Sequence, residues 1–227
     1  MRNAPSAPLP IQSVSRAETL SRQAYQSIRA SIRSGAISPN GFYSEVQLAQ
    51  ALKISRTPVR EALIELEREG LVEIVPQRGF RLRTISDDER HEAFELRDLI
   101  ETHVVRRLAK EASDEDVAEL RRIVDRQAKV ISTPADFIEA DEEFHLAIPT
   151  LLGLERTRRI LLTLRGIIWL AGLDAISIPE RSIEVIDEHR AVVDAIAAHD
   201  PAAAAKAMGA HIQLTRRALT DRNGRPS

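Results

Sequence analysis

From Asp87 to Asp221, apolar residues recur at helical spacing through six successive segments, and nowhere in that stretch do they alternate as in a strand. Amphipathic helices without strands can bury their stripes only against one another, so this part of the chain must fold as an all-α antiparallel helical bundle. The segments are Asp87–Ala112, Asp114–Ile131, Pro134–Leu152, Glu155–Leu173, Pro179–His199 and Pro201–Asp221. Asp114, Thr133 and Asp200 stand where helix starts want a polar cap, while Gly153 and the 174–177 stretch punctuate the joins. No fixed-period repeat is present.

Composition narrows the function. A chain of 227 residues allows one or two domains with a proper core. Its 43% hydrophobic and 29% charged residues are those of a globular protein, and 4% aromatic residues is low for a β-sandwich. The lack of cysteine excludes disulfide scaffolds, cysteine nucleophiles, iron–sulfur clusters and thiolate zinc fingers, and suits a cytoplasmic location. Gly166–Leu173, the longest strongly apolar stretch, is far below the ~20 residues that span a bilayer. Pro5, Pro8 and Pro10 stand where a signal peptide would be apolar. The net charge of −2 conceals a split: Met1–Thr84 carries 12 basic and 7 acidic residues, a charge of +5, and the remainder carries −7. A basic first third on an acidic remainder predicts two domains, of which the first meets a polyanion.

Met1–Val14 lacks periodicity and reads as a tail. Leu20, Ala24, Ile28 and Ile32 then mark a helix that stops at Gly35, followed by a Pro39-Asn40-Gly41 turn. Ser44 is placed to cap a helix over Glu45–Leu52. Ser55 is placed to cap another, with Thr57 and Pro58 in its first turn and Val59, Leu63 and Leu66 as its stripe. Leu71–Val75 and Phe80–Arg83 alternate like strands joined by Pro76-Gln77-Arg78-Gly79. This is a helix-turn-helix with a wing. The N-terminal end of the second helix must enter the major groove, where hydroxyls, N–H groups and the helix dipole meet phosphate. Arg56 and Arg60 share a face there, and arginine can pair bidentately with guanine. Arg78, beside Gly79, suits the minor groove or a phosphate. The expected organisation is a tail at 1–14, a winged helix-turn-helix at 15–84, a helical bundle at 85–221, and a tail at 222–227.

Within the bundle, polar side chains break the apolar stripes. Asp141 and His145 are four apart among Phe137, Ile138 and Ile148; His189 lies with Ile186, Val193 and Ile196; His211 lies with Met208 and Leu214. Buried polar groups need partners. One acid and three imidazoles can satisfy one another through a divalent cation, with zinc first and nickel, manganese and iron also compatible. The alternative is three core histidines, each hydrogen-bonded to a neighbour. Arg97 shares a stripe with Phe94, Ile100 and Val104 and invites either a ligand carboxylate or Glu101. Arg165 and Trp169 are further pocket candidates.

The stretch from Gly35 to Val75 resembles the winged helix of the GntR family, above all in Ser55-Arg56-Thr57-Pro58-Val59-Arg60-Glu61-Ala62-Leu63. The resemblance implies that Ser44, Arg56, Thr57 and Arg60 contact DNA and that Arg78 and Gly79 form the wing tip. Val46 stands where some members have arginine, Tyr43 replaces a leucine, and Lys53 replaces the usual glycine of the turn. The second part is similar to the FCD effector domain of the FadR subfamily. The residues that carry this are Arg97-Asp98-Leu99-Ile100-Glu101, Asp141-Glu142-Glu143-Phe144-His145, Glu188-His189, Ala195-Ile196, Asp200, Ala204 and His211. Six helices match its VanR-like group. That resemblance implies that the bundle binds an effector and dimerises: a divalent metal on Asp141, His145, His189 and His211, a small organic acid beside it, a homodimer and a palindromic double-stranded operator. Pro149-Thr150-Leu151-Leu152-Gly153 departs from the polar stretch common after the third helix.

The function expected is a metabolite-responsive transcription regulator. One alternative is a metal-dependent hydrolase fused to a DNA-binding domain, for which no general base stands outside the ligand set. Another is a regulator with a purely structural metal.

Overall fold

The computed structural model describes residues 18–39, 41–171 and 179–223. The tail at 1–14, Asn40 of the turn, the 174–177 join and the end of the 222–227 tail lie outside the described residues.

The first unit is built from α1 (Leu20–Arg33), α2 (Glu45–Leu52), α3 (Arg56–Arg68), β1 (Val72–Val75) and β2 (Gly79–Leu82). Thr19 starts α1 by accepting from the Arg22 N–H. Ala24, Tyr25, Ile28 and Ile32 form its buried face. Leu20, expected on that stripe, faces solvent because the contact begins one turn later. Ser44 and Gln47 form a reciprocal capping box on α2, satisfying two orphan donors. Ser55 occupies the N-cap of α3, but its side chain makes no capping bond. Lys53 ends α2 in the left-handed region at φ 55°, so the lysine that replaces glycine still adopts the turn glycine favours.

The two strands pair antiparallel, with Val72 opposite Leu82 and Val75 opposite Gly79. Tyr43 adds a one-residue third strand: its N–H donates to Phe80 O and its carbonyl accepts from Phe80 N–H, both at 2.9 Å. Its hydroxyl accepts from the Ser38 N–H at 2.7 Å. The aromatic ring that stands in for leucine therefore ties the turn to the wing.

The second unit comprises α4 (Asp87–Glu111), α5 (Asp114–Lys129), α6 (Pro134–Leu151), α7 (Glu155–Ala171), α8 (Pro179–Ala197) and α9 (Pro201–Asn223). Helix α4 packs on α9 and α7, α5 on α6 and α8, and α8 on α9, which gives the expected bundle. Three boundary details differ from the sequence reading. Ser113 rather than Asp114 caps α5, in a box with Asp116. Thr133 holds the cap position of α6 without a side-chain hydrogen bond. Helix α9 continues past Asp221 to Asn223. Asp200 does cap α9, accepting from the Ala202 and Ala203 N–H groups at 3.0 and 2.9 Å.

The two units meet along α1, α6 and α7. Trp169 and Leu170 of α7 belong to the apolar core of the winged helix. At Gly166 a Cβ would come within 2.9 Å of Leu71 Cδ2, so glycine permits the close approach. Beside this seam, Arg29 and Arg33 of α1 each reach a different oxygen of Glu142 on α6, at 2.6 and 2.9 Å. Burial works against the Arg29 charge, but Glu142 and its other neighbours outweigh that and raise its pKa. The Tyr25 hydroxyl donates to Glu69 at 2.7 Å and lies next to the same cluster.

Gly79 carries a prediction. At φ +108° it sits where L side chains rarely go, and a Cβ would lie 2.1 Å from the Tyr43 carbonyl oxygen. Gly35, at φ +76°, has open space around it. Gly79→Ala is expected to cost more than the roughly 1–3 kcal/mol of backbone strain alone, and Gly35→Ala only the strain. Thermal denaturation of the two variants checks the order.

Candidate metal centre and nucleic-acid face

The capped start of α2, the start of α3 and the wing surround one groove. Ser44, Arg56, Arg60, Arg78 and Gly79 all line it, together with Val46. Ser55, Arg56, Thr57, Arg60 and Arg78 are exposed. Arg56 is held loosely, 3.8 Å from Glu45 with 68% of its side chain exposed, and is free to exchange that carboxylate for another acceptor. Arg78 and Arg81 both lie over the exposed ring of Phe42, at 5.8 and 5.6 Å from its centroid. Phe42 was not singled out from the sequence, since an aromatic next to a turn carries no periodicity. Gly79 opens β2 against Tyr43 and is a packing residue more than a tip.

In the bundle, Asp141 and His145 of α6, His189 of α8 and His211 of α9 converge. One ligand atom from each lies within 4.8 Å of the other three. The three imidazoles are buried. Leu214, expected beside His211 on the inner stripe, is largely exposed instead.

Each imidazole is oriented by an acceptor on its Nδ1. His145 Nδ1 meets Glu101; His189 Nδ1 meets Gln127 Oε1 at 2.8 Å; His211 Nδ1 meets Glu188 Oε2 at 2.7 Å. Carboxylates and an amide oxygen accept here, so in the neutral ring the proton sits on Nδ1 and Nε2 presents a lone pair. Burial, reinforced mainly by the neighbouring Arg165, pushes His145 well below the usual histidine range, and burial does the same to His189. The neutral imidazole is the metal-binding form.

The inward lone pairs then conflict. His145 Nε2 and His211 Nε2 face each other at 3.1 Å. His189 Nε2 is buried without a hydrogen-bond partner, 3.6 Å from Asp141 Oδ1. Burial would raise the Asp141 carboxyl, but Arg165 beside it overcomes this and holds it far below the usual carboxylate range. Three lone pairs and a carboxylate aimed at one point fit a divalent cation. Imidazoles braced through Nδ1 are the usual support for such an ion. Bound there, it would supply a Lewis-acidic centre able to accept an anionic ligand.

A cavity of about 150 Å³ adjoins the cluster, with Asp141, His211 and Arg97 on its wall. Arg97 Nε donates to Glu101 Oε1 at 2.6 Å, so the internal ion pair forms. Yet Arg97 Nη2 is left without a partner, in a residue only 2% exposed. The other two sequence candidates lie elsewhere. Arg165 is not on the cavity wall but donates to Asp141. Trp169 packs in the winged-helix core, because the end of α7 serves the seam between the units. Gln127 and Arg181 were missed, and Glu188 was noted only as part of a resemblance, without a role. Gln127 breaks the buried stripe of Val117, Leu120, Ile123 and Val124, the same signal that exposed the histidines. Arg181, in the first turn of α8, gave no such signal.

Residues 92–214 match the family described as FCD domain, and residues 20–82 match the family described as bacterial regulatory proteins, gntR family. The Nta operon transcriptional regulator of Aminobacter aminovorans is 35% identical over 130 residues, which is 57% of this chain and 60% of that protein. The HTH-type transcriptional repressor RspR of Escherichia coli K12 is 28% identical over 202 residues, covering 86% of this chain and 87% of that protein. Among solved structures, E. coli McbR/YncC superposes with a TM-score of 0.78 at 21% identity, over 92% of this chain and 100% of its own.

Two outcomes are expected for the cluster. Restoring a divalent ion to chelator-stripped protein at about 100 times its Kd should stabilise by about 2.7 kcal/mol, and each kcal/mol raises the thermal midpoint by about 2–4 °C. Gln127→Ala keeps all four ligands but frees the His189 ring, and should weaken ion affinity about 10–100-fold, read by titration against a chromophoric chelator.

Proposed function

The chain belongs to the GntR family of bacterial regulatory proteins and carries an FCD domain behind its winged helix, and from this premise we propose that it is a homodimeric, cytoplasmic regulator that couples a metal-anchored organic acid to operator binding. That it is a DNA-binding transcription regulator follows from the family. Its relatives are regulators and not enzymes, so the hydrolase alternative is set aside.

The finer reading is our own. The proposed division is a winged helix at 15–84 and an effector and dimerisation bundle at 85–221. The proposed DNA contacts are Ser44, Ser55, Arg56, Thr57, Arg60 and Arg78, with Gly79 shaping the wing. Two such faces in a dimer would read a palindrome. The proposed metal ligands are Asp141, His145, His189 and His211, with zinc the first choice. A small carboxylate would complete the ion's surroundings and take Arg97 Nη2 as its second anchor. Arg165 would act by positioning Asp141, and Trp169 has no part in the site.

The observation that carries the sensing role is the position of Glu142. It directly follows Asp141 on α6 and receives both Arg29 and Arg33 of α1. Both charged side chains are almost wholly removed from water, at 11% and 7% exposure, where breaking one partner is costly. Ion or ligand binding at Asp141 therefore acts on the same helical turn that holds the winged helix. A ligand shifts DNA affinity only by its differential affinity for two arrangements of these parts. This favours a sensory ion over a purely structural one.

The test starts from an operator selected out of random DNA. Chelation or a bound acid should change operator affinity about 5–150-fold, the usual span of coupled sites. Invariant affinity under both treatments would remove the sensing role and leave a plain DNA-binding dimer. Glu142→Gln should leave metal content unchanged and cut that response by about fivefold or more. Fluorescence anisotropy on labelled operator, with metal analysis alongside, reads both.

A further inference from the structure

We infer that the acid bound beside the metal cluster is a monocarboxylate with an apolar body, aliphatic or aromatic, rather than a sugar acid or a polycarboxylate. The inference rests on the effector reading above and narrows it to one chemical class.

The cavity has one charged arm to offer. Among the described residues on its wall, Arg97 Nη2 is the only buried polar side-chain atom without a hydrogen-bond partner. Arg97 shares this wall with Asp141 and His211. Burial, with Arg165 nearby, pushes the Arg97 guanidinium below its usual value against Glu101 and Asp141, so an anion at Nη2 would be welcomed.

On this wall a second carboxylate would find no such group; the two unpartnered nitrogens of Arg165, Nε and Nη1, belong to a residue outside the lining. Arg181 also lines the cavity, but its two terminal nitrogens grip the two oxygens of Glu188 as a fork. Glu188 in turn orients His211 through Nδ1. Displacing it would release a metal-facing imidazole and strand a buried carboxylate. The charges around the site are already matched: Arg97 with Glu101, Arg165 with Asp141, Arg181 with Glu188. A divalent ion would add two positive charges to this balanced set, and a carboxylate bound to it would offset one of them.

The rest of the wall is apolar. Phe137 and Ile138 of α6, Val185 of α8, and Ala218 and Leu219 of α9 face the space. The wall offers two hydroxyls: Thr215, which accepts from Arg181 at 3.2 Å and keeps one O–H to donate, and Ser182, which has a partner of its own. Most hydroxyl groups of a polyhydroxy ligand would give up water without replacement, which disfavours polyhydroxy acids. An apolar body gains what those would lose.

Isothermal titration of the full-length protein tests this with benzoate, hexanoate, gluconate, succinate and hexanol. Benzoate or hexanoate should bind at least tenfold more tightly than gluconate or succinate, and hexanol should not bind measurably. Arg97→Gln should lower benzoate affinity at least tenfold, with Arg97→Lys between the two. Val185→Thr, which keeps the shape and adds a hydroxyl, should lower benzoate affinity several-fold while circular dichroism stays that of the parent. Tighter binding of gluconate or succinate would overturn the class and leave the effector reading standing. Binding of hexanol as tight as hexanoate would overturn the role of Arg97. Failure of every acid, with metal present and the protein folded, would overturn the effector reading itself.

Discussion

The structure turns on where three buried imidazoles put their protons. Glu101 of α4, Gln127 of α5 and Glu188 of α8 each occupy an Nδ1. That fixes the tautomer and sends every Nε2 lone pair inward. With the protons elsewhere, His145 Nε2 and His211 Nε2 confront each other at 3.1 Å and His189 Nε2 has no hydrogen-bond partner. A core that only needed polar satisfaction would pair these nitrogens with donors. This one arranges acceptors outside and lone pairs inside, an arrangement that gains stability from a cation and loses it otherwise.

The same arrangement explains the surrounding ion pairs. Each ring needs an acceptor, two of those acceptors are acids, and buried acids need cations. Arg97 therefore pairs with Glu101, and Arg181 with Glu188. Arg165 restrains Asp141. The network thus extends from the ligand atoms to the cavity wall on one side. On the other, one residue along α6, Glu142 extends it to α1 and the winged helix. Chemistry at the centre and the posture of the reading head share a single helix, α6. The seam formed by Trp169, Leu170 and the close approach at Gly166 gives that helix a firm base to work against.

Much of this was legible in the residues. Helical spacing placed all six bundle helices to within a few positions, because their apolar stripes are long and their joins carry proline, glycine or a capping residue. The four candidate ligands were legible because each interrupts a stripe that otherwise demands leucine. Gln127 interrupts one as well, but a glutamine invites less chemical suspicion than a histidine. Trp169 was misread for a definite reason. Its helix face points inward, but inward at the end of α7 means toward the winged helix, and only the docking of the two units reveals that. The pairing of Glu142 with Arg29 and Arg33 joins residues more than a hundred positions apart on the surfaces of separate units, and no local pattern encodes it.

Departures from the family pattern prove unequal in weight. Lys53 accepts a left-handed conformation at φ 55°, so the turn survives at a local cost that the capping box of α2 and the packing of α3 can carry. Tyr43 does more than replace leucine, since its ring, hydroxyl and backbone bind the turn to the wing. Val46 is different in kind. It is 43% exposed on the wall of the groove that Arg56, Arg60 and Arg78 share, and nothing in the fold requires an apolar residue there. A side chain at that position without a hydrogen-bonding group can meet a thymine methyl but cannot pair with guanine. The scaffold thus keeps its shape through the first two replacements, and the third changes only the chemistry of the groove wall.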